Sequence, residues 1–265
     1  MIECFVEGRT LPDAYHMALQ ELNAKGRVVD CPAWNTRCRE VAMTMQVKHP
    51  LCEPRISRFF PGGPTDLQQY EMEMLSGILD WAVDAGKEPY TYHKRMTERF
   101  GFDYVDKEWV PYDQAWGVIT TLRLDPNSRR AVIDLWDTEN DWTARDVPCI
   151  NHIQFMIRDG LLDCFVLMRS NDALEATFMN AWAIIRLQES IAKELDVGVG
   201  TYTHRANSFH CYEKDWAMLR TAADHTLTHA ESTVTYRYRG DWQEQMGEAV
   251  PEILAKMEAL KNDQN

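Results

Sequence analysis

The chain has 265 residues, enough to bury a sizeable core as one large domain or two small ones. Hydrophobic residues make up 45% and charged residues 26%, the balance of a soluble globular protein rather than a disordered or fibrous one. Asp and Glu outnumber Lys and Arg by 41 to 28, a formal net charge of -13, which disfavours broad nucleic-acid binding but allows a small anion held by local arginines.

No apolar run approaches the ~18–20 residues needed to span a membrane. The acidic start "MIECFVEGRTLPDAY" lacks the basic lead-in of a secretory signal. The seven cysteines (Cys4, Cys31, Cys38, Cys52, Cys149, Cys164, Cys211) are too scattered for a zinc ribbon or a disulfide framework, so a reducing cytoplasm is the expected setting.

In chain order, "LPDAYHMALQELNAKG" has the spacing of a helix that stops at Gly26, and "VAMTMQVKHP" alternates as a half-buried strand ending at Pro50. "RFFPGGPTD" is a turn cluster, and "LQQYEMEMLSGILDWAVDAG" predicts one helix. "PYTYHKRMTERFG" predicts a loop passing into helix. A helix then leads through the turn "DPNS" to the strand "AVIDLW". "NHIQFMIRDGLLDCFVLMRS" predicts a hairpin about Asp159-Gly160. "ATFMNAWAIIRLQESIAKEL" predicts a long apolar helix, "GVGTYTHRANSFHCYEKD" a strand and loop, and "PEILAKMEALKNDQN" a short amphipathic helix fading into a polar tail. Without repeats or linkers, residues 1–265 are expected to form one α+β domain.

Several residues could carry chemistry. Arg129 and Arg130 flank a turn, where paired guanidiniums suit phosphate oxygens as well as they suit plain solvent. Arg169, Ser170, Asn171 and Asp172 end an apolar run, either as a ligand-binding edge or as a polar turn capping the next helix. Asn180 sits in a strongly apolar helix, where its amide must find partners, in a ligand or in the protein. His210 and Tyr212 share a strand face that could grip a sugar hydroxyl, and Arg37 is a weaker candidate. Cys149, after a proline and before a strand, is a core residue by type. As a nucleophile it would need nearby positive charge, and Arg169 is the nearest source if the two strand runs pair. HExxH, P-loop, dinucleotide and GxSxG motifs are absent from the sequence.

The segments "DPNSRRAV", "VPCINHIQF", "IRDGLLDCFVLMRSND", "NAWAIIRLQESIAKEL", "VGTYTH" and "HCYEKD" together resemble the thymidylate synthase family, closest to its shorter archaeal-type branch, over roughly residues 122–215. The resemblance implies a thymidylate-synthase-like α+β fold with a mixed, predominantly antiparallel sheet packed by helices. It implies that Cys149 adds to carbon 6 of a pyrimidine nucleotide, so that carbon 5 can accept a one-carbon unit from 5,10-methylenetetrahydrofolate. Arg169 would touch both thiolate and phosphate. Arg37 and Ser170 would complete the phosphate cup, with Arg129 and Arg130 reaching in from the other subunit of a homodimer. Asn180 would read the base edge, and His210 and Tyr212 would hold the 3′-hydroxyl. Asp172 would lie between base and pterin. Tyr92 would stand near the proton leaving carbon 5. Glu73, with Glu71 as a near rival, would organise catalytic water, and Trp81 is a candidate for the folate.

Ile150 stands where the family commonly has histidine, the tryptophan-rich segment before Tyr92 is short, and the family's C-terminal closing motif is absent from "ALKNDQN". A more open site would let water reach the methylene intermediate, so hydroxymethylation of dUMP is the leading expectation and dTMP formation its close rival. Family members acting on cytosine often carry Asp where Asn180 stands, and an ionised Asp cannot donate to uracil oxygen 4, so the retained Asn favours uracil; a flipped amide could serve cytosine, which leaves a dCMP hydroxymethylase as a lesser alternative. A non-catalytic nucleotide- or RNA-binding relative is the alternative outside enzymology.

Overall fold

The structure is a computed structural model that describes residues 1–103 and 105–262. β1 (Glu3–Gly8) enters helix α1 (Leu11–Lys25) through Thr10, whose side chain accepts from the Asp13 N–H while Asp13 accepts from the Thr10 N–H. That reciprocal cap, with Pro12 in the first turn, fixes where the helix begins. β2 (Arg27–Cys31) and β3 (Thr36–Val47) form a hairpin, and the short β4 (Ile56–Ser57) follows.

Helices α2 (Pro64–Ser76), α3 (Asp80–Asp84) and α4 (Tyr92–Thr97) lead to the hairpin β5 (Arg99–Asp103) and β6 (Glu108–Tyr112), then α5 (Gln114–Leu124). β7 (Val132–Asp134), β8 (Ile150–Arg158), β9 (Leu161–Met168) and the two-residue β10 (Asn171–Asp172) precede the long helix α6 (Thr177–Glu194) and the long strand β11 (Gly198–Tyr212). The chain closes with α7 (Trp216–Thr228), α8 (Glu231–Val234), β12 (Thr235–Tyr236) and α9 (Gln243–Asn262).

Among the described residues, eight strands share one mixed sheet in the order β1-β3-β11-β9-β8-β7, with β2 beside β3 and β10 beside β11. β11 runs parallel to β9 and antiparallel to β3, so the sheet is mixed at its centre. The β8–β9 hairpin turns at Asp159 and Gly160, with φ of 52° and 75°, the left-handed pair that matches the strand twist. Its other end carries an irregularity: Ile150 pairs with Met168 but His152 pairs with Leu167, so Asn151 is an extra residue just after Cys149.

The core lies between the sheet and its helices. α6 presents Phe178, Ala181, Trp182, Ile184, Ile185 and Ile191 to it, all nearly inaccessible. Each large apolar side chain so buried stabilises the fold by about 1.5–3 kcal/mol, which offsets the cost of keeping Asn180 in the same helix. Gln188 satisfies both the Leu162 and Thr201 carbonyls, at 2.7 and 3.0 Å, and so ties α6 to β9 and β11.

Two expected elements differ. The helix anticipated over "LQQYEMEMLSGILDWAVDAG" breaks at Gly77, because that residue takes the left-handed φ of 61°, and α3 restarts at Asp80. The terminal helix is longer than expected, beginning at Gln243 and passing through Pro251; residues 263–265 of its polar tail lie outside the described residues. No helix among the described residues is long and apolar enough to cross a membrane.

The break at Gly77 frees Asp80 to anchor the segment around Tyr92. The Asp80 carboxylate accepts from the Thr91 hydroxyl and bonds the His93 Nδ1 at 2.6 Å, bracketing Tyr92 between two fixed neighbours. A Cβ at position 77 would fall 2.3 Å from the His93 Nδ1 and 2.4 Å from an Asp80 carboxylate oxygen. Gly77→Ala is therefore expected to cost about 2 kcal/mol or more and to lower Tm by roughly 4–8 °C in thermal denaturation.

Candidate active site

The site forms where β8 begins and β9 ends. Arg169 donates its backbone N–H to the Cys149 carbonyl at 3.0 Å, so strand pairing brings residues twenty apart side by side. The Arg169 guanidinium folds back over the segment before the cysteine, with Nε on the Pro148 carbonyl at 3.0 Å and Nη2 on the Val147 carbonyl at 2.8 Å. From there Nη2 reaches the Cys149 Sγ at 3.6 Å and Nη1 the Ser170 Oγ at 3.3 Å; Sγ and Oγ are themselves 3.6 Å apart. The thiol is thus half-exposed and held against a fixed guanidinium and a hydroxyl.

Three tyrosines stand over the thiol. Tyr92 begins α4, and its phenol meets the backbone of Ile150 and Cys149; burial, and then nearness to Cys149, push it up to about 12. Tyr90 packs on it with ring centroids 5.6 Å apart. Tyr70, on α2, donates its hydroxyl to the Asn180 Oδ1. Burial also holds the Tyr70 phenol well above its ordinary range, so it stays a protonated donor.

Tyr70, Tyr90 and Tyr92 line one cleft of about 180 Å³ together with Glu73, Met74, Leu79, Glu88, Thr91 and Asp146. Glu73 accepts from the Gln69 amide at 2.8 Å, yet desolvation leaves its carboxyl above its ordinary range. Glu71 faces elsewhere: it accepts from the Trp182 indole at 2.9 Å and the Arg186 Nε at 3.1 Å, joining α2 to α6. The structure thus puts Glu73 in the cleft and Glu71 outside it. Trp81 lies on α3 and is not part of this lining. The cleft is therefore walled by three tyrosines and carries the carboxyls of Glu73, Glu88 and Asp146.

The other candidates divide into those that converge and those that do not. β10 pairs with β11 so that Asp172 lies beside His210. The Asp172 Oδ1 accepts from the Leu174 and Glu175 N–H groups at 3.0 and 2.9 Å, while burial raises its carboxyl above the ordinary range. His210 and Tyr212 stack edge to face at 5.0 Å. Arg37 is exposed and paired with Glu213, and its guanidinium stands 5.4 Å from the Trp216 ring. The structure does not bring it into hydrogen-bond contact with Arg169 or Ser170. Arg129 and Arg130 are exposed at the turn after α5 and meet none of these groups within the chain. Tyr70, Tyr90 and the Asp80 anchor are absent from the sequence-based candidates. Tyr70 had one available signal, since it lies one helical turn before Glu73 on the same face.

A thiol just ahead of a sheet strand, with an arginine and a hydroxyl on its sulfur, is an arrangement found in transferases that work through a cysteine. Comparison with known proteins narrows the class. The thymidylate synthase family model matches residues 64–239. A curated protein of Methanocaldococcus jannaschii, named provisionally as a thymidylate synthase, is 33% identical over 209 residues, covering 77% of this chain and 88% of that protein. A similarly named protein of Methanosarcina barkeri is 28% identical, over 81% of this chain and 92% of its own. The solved structure of thermostable thymidylate synthase A from Bacillus subtilis shares the fold, with a TM-score of 0.65 at 16% identity over 81% of this chain and 84% of that one. The chain belongs to the thymidylate synthase family of one-carbon transferases.

Glu73 gives a test of the cleft's electrostatics. Its folded-state carboxyl binds a proton more tightly than the ordinary value of 4.5, so ionising it opposes folding as pH rises from about 4.5 through the raised value. Glu73→Gln is expected to be more stable than the parent at neutral pH, with the difference vanishing below about pH 4.5. Thermal denaturation of both proteins across that range measures it.

Proposed function

We propose that the chain transfers a one-carbon unit from 5,10-methylenetetrahydrofolate to carbon 5 of dUMP through a covalent adduct of Cys149 at carbon 6. The observation that carries this reading is the Arg169 guanidinium reaching the thiol at 3.6 Å while also touching Ser170, so that one cation serves both the nucleophile and an anion beside it. Addition of the thiolate to the ring turns an unreactive alkene carbon into an enolate-like nucleophile, splitting one hard step into easier ones. Binding energy from the remote phosphate holds the ring over the sulfur. The folate supplies the one-carbon unit, and the cleft floored by Tyr90 and Tyr92 is the place that suits its ring.

The remaining chain residues take consistent roles. Asn180 reads the base edge, His210 and Tyr212 hold the sugar hydroxyl, and Asp172 lies between base and pterin. The proton leaving carbon 5 passes to a water molecule, which the Tyr92 phenol, kept protonated and close to Cys149, holds by hydrogen bonding, and Glu73 orders further water. Arg37 must exchange Glu213 for the phosphate to join the cup. Arg129 and Arg130, exposed and uninvolved within their own chain, enter from the second subunit of a homodimer.

An open cleft supports 5-hydroxymethyl-dUMP as the product. Trp81 does not line the cleft, and the terminal helix α9 meets α2 through Lys256, which donates to Gln69 at 3.1 Å. Among the described residues the cleft lining includes no residue of α9, which supports access of water to a reactive methylene. A second reading, dTMP with dihydrofolate, is supported by the names of the archaeal relatives, which match over most of their length. Incubation with dUMP and methylenetetrahydrofolate separates the two by product chromatography. Dihydrofolate appearing in step with dTMP overturns the hydroxymethyl assignment.

Cys149→Ala is expected to abolish product formation and the release of tritium from carbon 5, with a fall of at least ~10³-fold, while nucleotide binding changes by less than about tenfold. Tritium release at the parental rate from that variant defeats the covalent mechanism.

A further inference from the structure

Asn180 is almost fully buried, at 3% exposure, and its two ends are treated differently by the protein. Its Oδ1 accepts the Tyr70 hydroxyl, whereas among the described residues nothing accepts from its Nδ2. The contact is held in register from the next residue along. Glu71 bonds Trp182 and Arg186, which follow Asn180 on α6, so α2 cannot slide relative to α6 without breaking three hydrogen bonds.

We propose that Tyr70 is a positioning residue that sets base specificity: by engaging the Asn180 Oδ1, it leaves the amide nitrogen to donate to the 4-carbonyl of uracil and makes the site reject the 4-amino group of cytosine. The inference rests on the dUMP reading above. An amide alone cannot discriminate, since turning it end for end exchanges donor and acceptor and suits either pyrimidine. Tyr70 removes that freedom. Its hydroxyl has no other protein acceptor among the described residues, so a turned amide would leave the phenol proton without a protein partner. Burial holds the phenol well above its ordinary range, so it keeps a proton to donate to the Asn180 Oδ1.

This assigns Tyr70 a duty that a carboxylate in its place could not perform, because an ionised carboxylate cannot donate to Oδ1. Asn180 makes the base contact, and Tyr70 acts through it. The consequence is specific to the ratio of affinities for two nucleotides, which a residue that merely supported the helix pair would lower equally.

The test measures binding of dUMP and dCMP to the parent chain, Tyr70→Phe, Asn180→Ala and the double variant. Phenylalanine keeps the ring packing and removes only the hydroxyl. The parent is expected to prefer dUMP, and Tyr70→Phe to shrink that preference about tenfold, mainly by strengthening dCMP binding. On the Asn180→Ala background, adding Tyr70→Phe should leave the ratio unchanged, because there is no amide left to orient. A Tyr70→Phe ratio equal to the parent's overturns the inference, as does an equal shift with and without Asn180. A parent that binds dUMP no better than dCMP overturns it too, while carbon-5 tritium release would still uphold one-carbon transfer. Failure of the parent to release tritium from dUMP condemns the functional reading itself, so the two failures show in different measurements.

Discussion

Everything at this site depends on one strand pairing. The antiparallel register of β8 and β9 sets the Arg169 N–H on the Cys149 carbonyl, and from that bond the guanidinium curls over Val147 and Pro148 to reach the sulfur. The extra residue at Asn151 interrupts the ladder two residues after Cys149, which itself lies just ahead of β8. Because side chains alternate across a strand, a slip of one residue would turn Cys149 away from the pocket and leave Arg169 over nothing. The left-handed turn at Asp159-Gly160, at the far end of the hairpin, is what holds that register.

Around this pairing the protein uses its buried hydrogen bonds for orientation. Asp80 pins Thr91 and His93 on either side of Tyr92, and Glu71 fastens α2 to α6 so that Tyr70 faces Asn180. A phenol and an amide that must meet a flat ring gain little from their own flexibility, and fixing them in advance reduces what binding costs in entropy. The same crowding desolvates Glu73 and Asp172, which raises both carboxyls above their ordinary range. The site therefore carries charge at some cost to stability, a common condition of active sites.

Much of this was legible in the chain itself, for physical reasons that are local. The capped start of α1, the Asp159-Gly160 turn and the apolar periodicity of α6 are each set by residues within a few positions of one another. Cys149 and Arg169 were linked because two strand-like runs joined by a tight turn must pair. The family wording between residues 122 and 215 then gave Asn180, His210 and Tyr212 their expected roles. The break at Gly77 was not legible, since a glycine within a helical pattern either continues it or ends it. Here the nearness of His93 and Asp80, which come from further along the chain, decides the matter.

The sequence by itself determined which groups are available to the site, a thiol, the guanidiniums and an amide, in an order that already resembled one family. Only the tertiary structure decided which carboxylate enters the cleft, because Glu71 and Glu73 differ by two positions on one helix and therefore face opposite ways once α6 packs against it. It alone joined Tyr70 to Asn180 across 110 residues of chain. Hydrogen bonds of that span depend on how helices cross rather than on spacing within either one, so no local pattern could announce them.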